Sequence, residues 1–204
     1  MLASGDNIKP ILEYSVPNKQ EYCEIHDYDF KMLPFEDDWQ RFKVMLSLLS
    51  EYHTVMYMDT DTLITDLTVP LRYRYGWKGF VIAADLFGFN SGVMIARRDP
   101  MTYELLHAIN ELGPYLAHNH PWKEQEVLRR LLTAPPYADH PFWHCALQTE
   151  LNAYPNEYYD GRANFSGGWK PGMFVLHLPG MSNETRLQIM SGVQQHIVRP
   201  KAEC

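Results

Sequence analysis

Cysteine is scarce in this chain, and long apolar runs and basic tracts are missing altogether. The three cysteines among 204 residues, Cys23, Cys145 and Cys204, stand far apart. Their odd number gives no disulfide framework, and their spacing lacks the pairs of a zinc site, which points to a reducing compartment. No apolar stretch approaches the roughly 18–20 residues that a membrane span needs, and no apolar signal segment opens the sequence. A cytoplasmic chain, or an excised domain of a larger protein, is the expectation. The formal net charge is −7, and Lys9, Lys19, Arg41, Lys43, Arg72, Arg74, Arg97 and Arg98 are scattered or in pairs. Nucleic acid is therefore not the expected partner, although a local anion site stays open. Internal repeats, low-complexity tracts and linkers are absent as well.

What remains is an ordinary globular composition, 46% hydrophobic and 21% charged, in a chain long enough for one well-buried core. A single domain over residues 1–204 is expected. The pattern predicts a very short first strand at Met1 to Ala3 and a helix from about Asn18 to Asp27, with Pro17 just before it. A second strand is expected over Tyr28 to Met32. Asp37 and Asp38 can cap a helix bearing Trp39, Phe42, Met45, Leu46 and Leu49 at helical spacing. Strands follow up to Asp59, at Phe80 to Ala84 and at Ser91 to Ala96. Asp99 and Pro100 open a helix to about Leu112, and Trp122 to Leu132 is another. Residues from Thr133 to Gly172 read as irregular, which is long for a loop without structure. Phe174 to His177 is a last strand, and Asn183 to about Val193 a closing helix. Strands alternating with helices indicate an α/β sheet with a parallel majority.

The most informative stretch is Val55-Met56-Tyr57-Met58-Asp59-Thr60-Asp61, an apolar run that stops on two carboxylates. The acids fall at the C-terminal end of a strand, the edge where open α/β sheets bind ligands. Two positions apart on extended backbone, Asp59 and Asp61 share a face and can approach one hard divalent cation from the same side. Such oxygen ligands suit Mg²⁺ or Mn²⁺, which usually share their shell with phosphates. Asp and Thr are also ordinary turn residues, so a plain strand end is the competing reading.

Further features join the pair. Asn90-Ser91-Gly92 stands at the mouth of an apolar strand, where glycine permits close backbone approach; a simple turn explains it equally well. Trp122-Lys123-Glu124-Gln125 begins a helix whose first turn can present polar side chains, or merely places acids favourably. His177 ends an apolar strand ahead of Pro179-Gly180, where a structural histidine is the commoner case. Asn183-Glu184-Thr185-Arg186 then brings a cation close in sequence.

In their order these pieces resemble the GT-A-type nucleotide-sugar glycosyltransferases. The likeness is greatest to glycosyltransferase family 34, the group of the yeast galactosyl- and mannosyltransferases and the plant xyloglucan xylosyltransferases, and weaker to the glycogenin-like group. The matching positions are Trp39 and Arg41, then Tyr57 to Ile64, Phe89 to Ile95, Glu124-Gln125, Leu151 to Pro155, and Phe174 to Gly180. The resemblance implies a single Rossmann-like GT-A domain with a mixed, mostly parallel sheet flanked by helices. It also implies transfer of a hexose or pentose from a nucleotide-diphosphate sugar, a UDP-sugar above all, to a glycan, glycoprotein or other hydroxyl acceptor. Asp59, Asp61 and His177 would then hold Mn²⁺ or Mg²⁺. Leu2, Ala3, Ser4 and Gly5 would hold base and ribose, and Arg41, with Lys43 as alternative, would lie near the donor. Thr60, Asn90, Ser91, Gly92 and Gly180 would line the donor site, with Asp85 binding sugar hydroxyls and Glu124 and Gln125 near the anomeric carbon.

The chain departs from that pattern in places. The family often has an Asp just before the acid-Gln pair or in its place; here the residues are Lys123-Glu124-Gln125, so the role of Glu124 does not transfer directly. The Cys-rich tail of the plant enzymes is missing, which leaves Arg186 to supply charge for the leaving diphosphate. A retaining reaction, as in the family, needs no strong base, and Gln125 would steady the cationic sugar. An inverting reaction would make Asp85 or Glu124 the base. Two rival readings stand beside transfer. One is a haloacid-dehalogenase-like phosphatase using Asp59 and Asp61, although Leu63 replaces the expected Thr or Val and no later Gly-Asp-x-x-x-Asp motif is present. The other is a sugar-nucleotide-binding domain without turnover.

Overall fold

The computed structural model describes residues 2–3, 8–34, 37–85, 87–117, 119–155 and 168–201. In chain order the elements begin with β1 (Leu2–Ala3), α1 (Lys9–His26), β2 (Leu33–Pro34), α2 (Gln40–Glu51), β3 (Thr54–Met58) and β4 (Thr62–Ile64). They continue with β5 (Phe80–Asp85), β6 (Gly88–Arg97), α3 (Pro100–Leu116), α4 (Lys123–Leu132) and β7 (Trp143–Ala146). The last are α5 (Gln148–Leu151), β8 (Val175–His177) and α6 (Asn183–Val193). The chain divides into two compact units: residues 1–34, 59–74 and 147–204 form one, and residues 35–58 and 75–146 the other.

In the first unit β1 runs parallel to β2, and β4 runs antiparallel to β8 with Thr62 opposite His177. Helix α1 docks on β4 through polar contacts. Asn18 Nδ2 donates to Ile64 O at 2.8 Å, Ile64 N donates back to Asn18 Oδ1 at 2.7 Å, and Lys19 Nζ donates to Thr62 O at 2.7 Å. Pro10 lies in the first turn, where a missing N–H costs nothing. The helix begins at Lys9 rather than Asn18, and Pro17 lies inside it rather than before it. One lost backbone bond there is outweighed by the face that Ile11, Ser15, Asn18, Lys19 and Tyr22 bury. Asp27 ends α1 in a left-handed conformation, φ 57°, with its N–H donated to Cys23 O. The expected strand over Tyr28 to Met32 falls instead on Leu33–Pro34, where β1 supplies the partner. Leu63, Ile64, Leu67, Val175, Leu176, Leu178 and Met190 make the core of this unit.

The second unit is built on a sheet in the order β3-β6-β5-β7. Strand β6 is antiparallel to both β3 and β5, while β5 and β7 are parallel. Only Leu86 and Phe87 join β5 to β6, a connection far too short for a parallel crossover. The continuous apolar runs at Phe80–Ala83 and Val93–Ala96 are fully buried, as central strands require. Helix α2 starts where Asp37 Oδ1 accepts from Trp39 N and Gln40 N, both at 2.8 Å. Helix α3 starts where Asp99 Oδ1 accepts from Met101 N at 2.9 Å and Thr102 N at 3.2 Å. Both caps follow the aspartates that mark them in the sequence. The stretch expected to be irregular holds β7 and α5; β7 is short and gains its order from β5, so periodicity alone misses it. The result is the expected mixed α/β fold, but without the expected parallel majority. Among the described strands β3–β6, β5–β6 and β4–β8 pair antiparallel and β1–β2 and β5–β7 parallel, because the short β5–β6 connection forces a hairpin.

Candidate functional site

Two polar groups stand out, one in each unit. In the first unit, ligand atoms of Asp59, Asp61 and His177 all lie within 4.8 Å of one another. The turn between β3 and β4 carries both acids, and local hydrogen bonds fix it. Thr62 Oγ1 donates to Asp59 O at 2.7 Å, and Leu178 N donates to Asp61 O at 3.0 Å. The β4–β8 ladder sets Thr62 against His177 and so delivers the imidazole to the acids.

His177 is itself oriented. Its Nδ1–H donates to Asn152 Oδ1 at 2.8 Å, which leaves Nε2 facing Asp61 Oδ1 at 3.4 Å. Nε2 and the Asp61 carboxylate thus face the same space, which a shared cation can occupy. Two carboxylates and one imidazole offer hard oxygen and borderline nitrogen, a donor set that suits Mn²⁺ and also admits Mg²⁺. The residues fit the ion that the sequence implies.

Cations already surround the acids. Arg186 Nη2 lies 2.7 Å from Asp61 Oδ2, and Arg186 Nε donates to Leu178 O at 3.0 Å. Burial alone raises the Asp61 pKa, but the charge and hydrogen bond of His177, with Arg186 behind them, hold the carboxyl below its usual range. Lys19 is buried on α1, and burial pushes its ammonium down to about 7 against the pull of Asp61 and Asp59. Sequence reading assigns no role to Lys19 or Asn152. Nothing marks a lysine within a helix as buried, whereas Asn152 lies inside the matched Leu151 to Pro155 segment. Gly180 follows β8 with φ 67°, a left-handed turn that glycine adopts without strain. The backbones of Leu2 and Ala3 form β1; Ser4 and Gly5 lie outside the described residues. Thr60 is half-buried in the turn between the two acids.

The second unit gathers the other expected residues. Arg41 Nη1 donates to Ser91 Oγ at 3.0 Å and lies 3.7 Å from Glu124 Oε1, with its guanidinium 5.1 Å from the centre of the Tyr57 ring. Ser91 Oγ donates to Glu124 Oε1 at 2.9 Å, and Ser91 N donates to Gln125 Oε1 at 3.3 Å. Burial raises the Glu124 pKa in spite of Arg41. Asn90 Nδ2 donates to Asp85 Oδ2 at 3.2 Å, and Gly92 N donates to Asn90 Oδ1 at 2.9 Å. Lys43 is set apart from this group, exposed and 3.5 Å from Asp37 Oδ2. The structure therefore brings Arg41, Asp85, Asn90, Ser91, Gly92, Glu124 and Gln125 into linked contacts and leaves Lys43 on the surface.

Among the described residues, no helix is long and apolar enough to cross a membrane. No family model matches the chain. A protein of Oryza sativa subsp. indica named probable glycosyltransferase 4 is 28% identical over 129 residues, which takes in 54% of this chain and 26% of that protein. The same name and figures apply to its counterpart in Oryza sativa subsp. japonica. The chain thus spans about a quarter of the length of the curated relatives it matches. Among solved structures, it is similar to a glycosyltransferase involved in the glycosylation of the major capsid of PBCV-1. The TM-score is 0.67 and the identity 14%, over 94% of this chain and 97% of that one. It is also similar to the glycosyltransferase GlyE of Streptococcus pneumoniae TIGR4, with a TM-score of 0.59 and 13% identity over 99% of this chain and 64% of that one. The mixed α/β fold of this chain is one that solved glycosyltransferases share.

Proposed function

We propose that this chain is a GT-A-type glycosyltransferase, most like family 34, that moves a sugar from a nucleotide-diphosphate donor to a hydroxyl acceptor. One observation carries the reading: Asp59, Asp61 and His177 converge within 4.8 Å, in a fold shared with solved glycosyltransferases. The similarity to proteins named as glycosyltransferases supports the same class.

Asp59, Asp61 and His177 would hold Mn²⁺ or Mg²⁺, and the ion, when bound, would neutralise charge growing on the departing diphosphate. The chain's own residues prepare that site. Asn152 keeps Nε2 of His177 as the ligand nitrogen, and Leu178 N holds the backbone of Asp61 in place. Arg186 sits on Asp61 and can exchange that carboxylate for phosphate oxygen, for which a guanidinium is well shaped. In the second unit Ser91 and Arg41 fix Glu124, and Ser91 N orients the Gln125 amide. Assignment of Asp85, Glu124 and Gln125 to the transferred sugar rests on the resemblance of their motifs, as does a retaining over an inverting course. Asn90, Ser91 and Gly92 are assigned to the donor on the same ground, and one catalytic domain over 1–204 belongs to this proposal. UDP-sugars are the proposed donors, and a glycan or glycoprotein hydroxyl the acceptor.

The presence of His177 in the cluster favours sugar transfer over a phosphoaspartate phosphatase. The test is release of nucleoside diphosphate from a panel of UDP- and GDP-sugars with Mn²⁺, repeated with the metal chelated. Metal-dependent release supports transferase chemistry. Absence of both release and binding across the panel contradicts it, and binding without release with any acceptor points to a domain without turnover.

A further inference from the structure

Large aromatic side chains on a protein surface are usually isolated, and a paired, half-exposed set asks for an explanation. Phe87 and Trp122 form such a pair within the second unit. They are 50% and 46% exposed, and their ring centroids lie 5.4 Å apart. Phe87 comes from the turn between β5 and β6, and Trp122 from the N-terminal cap of α4. His120 stands behind Trp122, with ring centroids 5.9 Å apart, and its Nδ1 accepts from Trp122 N at 3.2 Å. The indole is therefore held on both its backbone and its ring.

The polar surroundings narrow what such a surface fits. Asp85 Oδ1 accepts from Phe87 N at 2.7 Å, and Asp85 Oδ2 accepts from Asn90 Nδ2 at 3.2 Å. Gln125 lies one turn along α4 from Trp122, with its amide oxygen on Ser91 N. An apolar face thus borders directly on a carboxylate and amides. A pyranose has the matching character: one face of polarised C–H bonds that stacks on π-clouds, and a rim of hydroxyls that seek carboxylate and amide groups. A lipid surface would not need the rim, and a polyanion would be repelled by Asp85.

We infer that Phe87 and Trp122 form a stacking platform for a pyranoside of the acceptor glycan. This deepens the transferase reading and rests on it for the word acceptor, while binding of the sugar itself rests on the platform alone. Residues between Trp143 and Trp169, the aromatic-rich stretch of the sequence, supply no such pair among the described residues: Trp143 packs edge-on against Phe89, and Trp169 donates its indole N–H to Thr65.

Saturation-transfer NMR with methyl β-D-galactopyranoside, methyl α-D-mannopyranoside and methyl β-D-xylopyranoside tests this. The wild-type chain is expected to saturate the C–H face of at least one of them. Trp122→Ala and Phe87→Ala should each cut the signal about five- to tenfold, as loss of an aromatic contact does. Trp122→Tyr should restore most of it, and unchanged melting temperatures would show that the variants fold. Equal signals in wild type and both alanine variants would overturn the platform, as would no transfer to any glycoside. A shift to monomer in Trp122→Ala without glycoside binding would instead make the pair a contact between copies, and also overturn it. Calorimetry of UDP with Mn²⁺ on the wild type separates the two failures: donor binding without glycoside binding sinks only the platform, and the converse sinks only the transferase reading.

Discussion

The Nδ1–H of His177 donates to Asn152 Oδ1 at 2.8 Å, and this one bond decides which imidazole nitrogen faces Asp61. Partners of this kind on metal-binding histidines typically change metal affinity by about 10–100-fold when removed. Asn152→Ala should weaken Mn²⁺ binding by that factor while leaving Asp59 and Asp61 in place. Electron paramagnetic resonance of free Mn²⁺ during titration measures it. Equal affinity in variant and wild type would mean that His177 does not bind the ion.

Lys19 gives the metal-free protein a defined pH dependence. Its pKa is about 7 in the folded chain against an ordinary 10.5. Between those values the unfolded chain holds a proton that the folded chain lacks, so stability rises with pH across that window. Below about 7 both states are protonated, and the cost of burying the charge is fully present. Lys19→Met removes this dependence. The stability of wild type relative to Lys19→Met should therefore improve by about 2–4 kcal/mol between pH 6 and pH 10. Urea unfolding with chelator present reads the difference, and parallel curves for the two proteins would contradict it.

Arg41 and Glu124 form a buried pair 3.7 Å apart, with side chains only 8% and 11% exposed. Removing one member leaves the other charged and unmatched. Arg41→Met should destabilise the chain by about 3 kcal/mol and push the Glu124 carboxyl further above its ordinary range. The double variant with Glu124→Gln should recover part of the loss. Denaturant unfolding of the two single variants and the double gives the coupling. A purely additive result would deny the pairing.

Much of the fold and of the candidate site is legible in the sequence because the signals are local. Asp37 and Asp99 mark helix starts within three residues, and the apolar runs of β5 and β6 mark buried strands without reference to anything distant. The acids after β3 were legible as an edge motif for the same reason. What the sequence did not yield depends on pairing across long separations. Thr62 meets His177 only through the β4–β8 ladder, and Lys19 meets Thr62 only because Asn18 locks α1 to Ile64. Pro17 reads as a boundary in the sequence, whereas α1 begins at Lys9 and its buried face tolerates the proline inside it. The exposure of Phe87 and Trp122 is likewise invisible to periodicity, since each belongs to a turn.

The central claim is that Asp59, Asp61 and His177 bind a divalent ion for a nucleoside diphosphate. Isothermal calorimetry of UDP and GDP, with and without Mn²⁺, on wild type and Asp61→Ala tests it most directly. The account predicts Mn²⁺-dependent binding of at least one nucleotide to wild type and a loss of at least about 100-fold in Asp61→Ala, with a smaller loss in His177→Ala. Binding that is indifferent to Mn²⁺, or unchanged in Asp61→Ala, would contradict it.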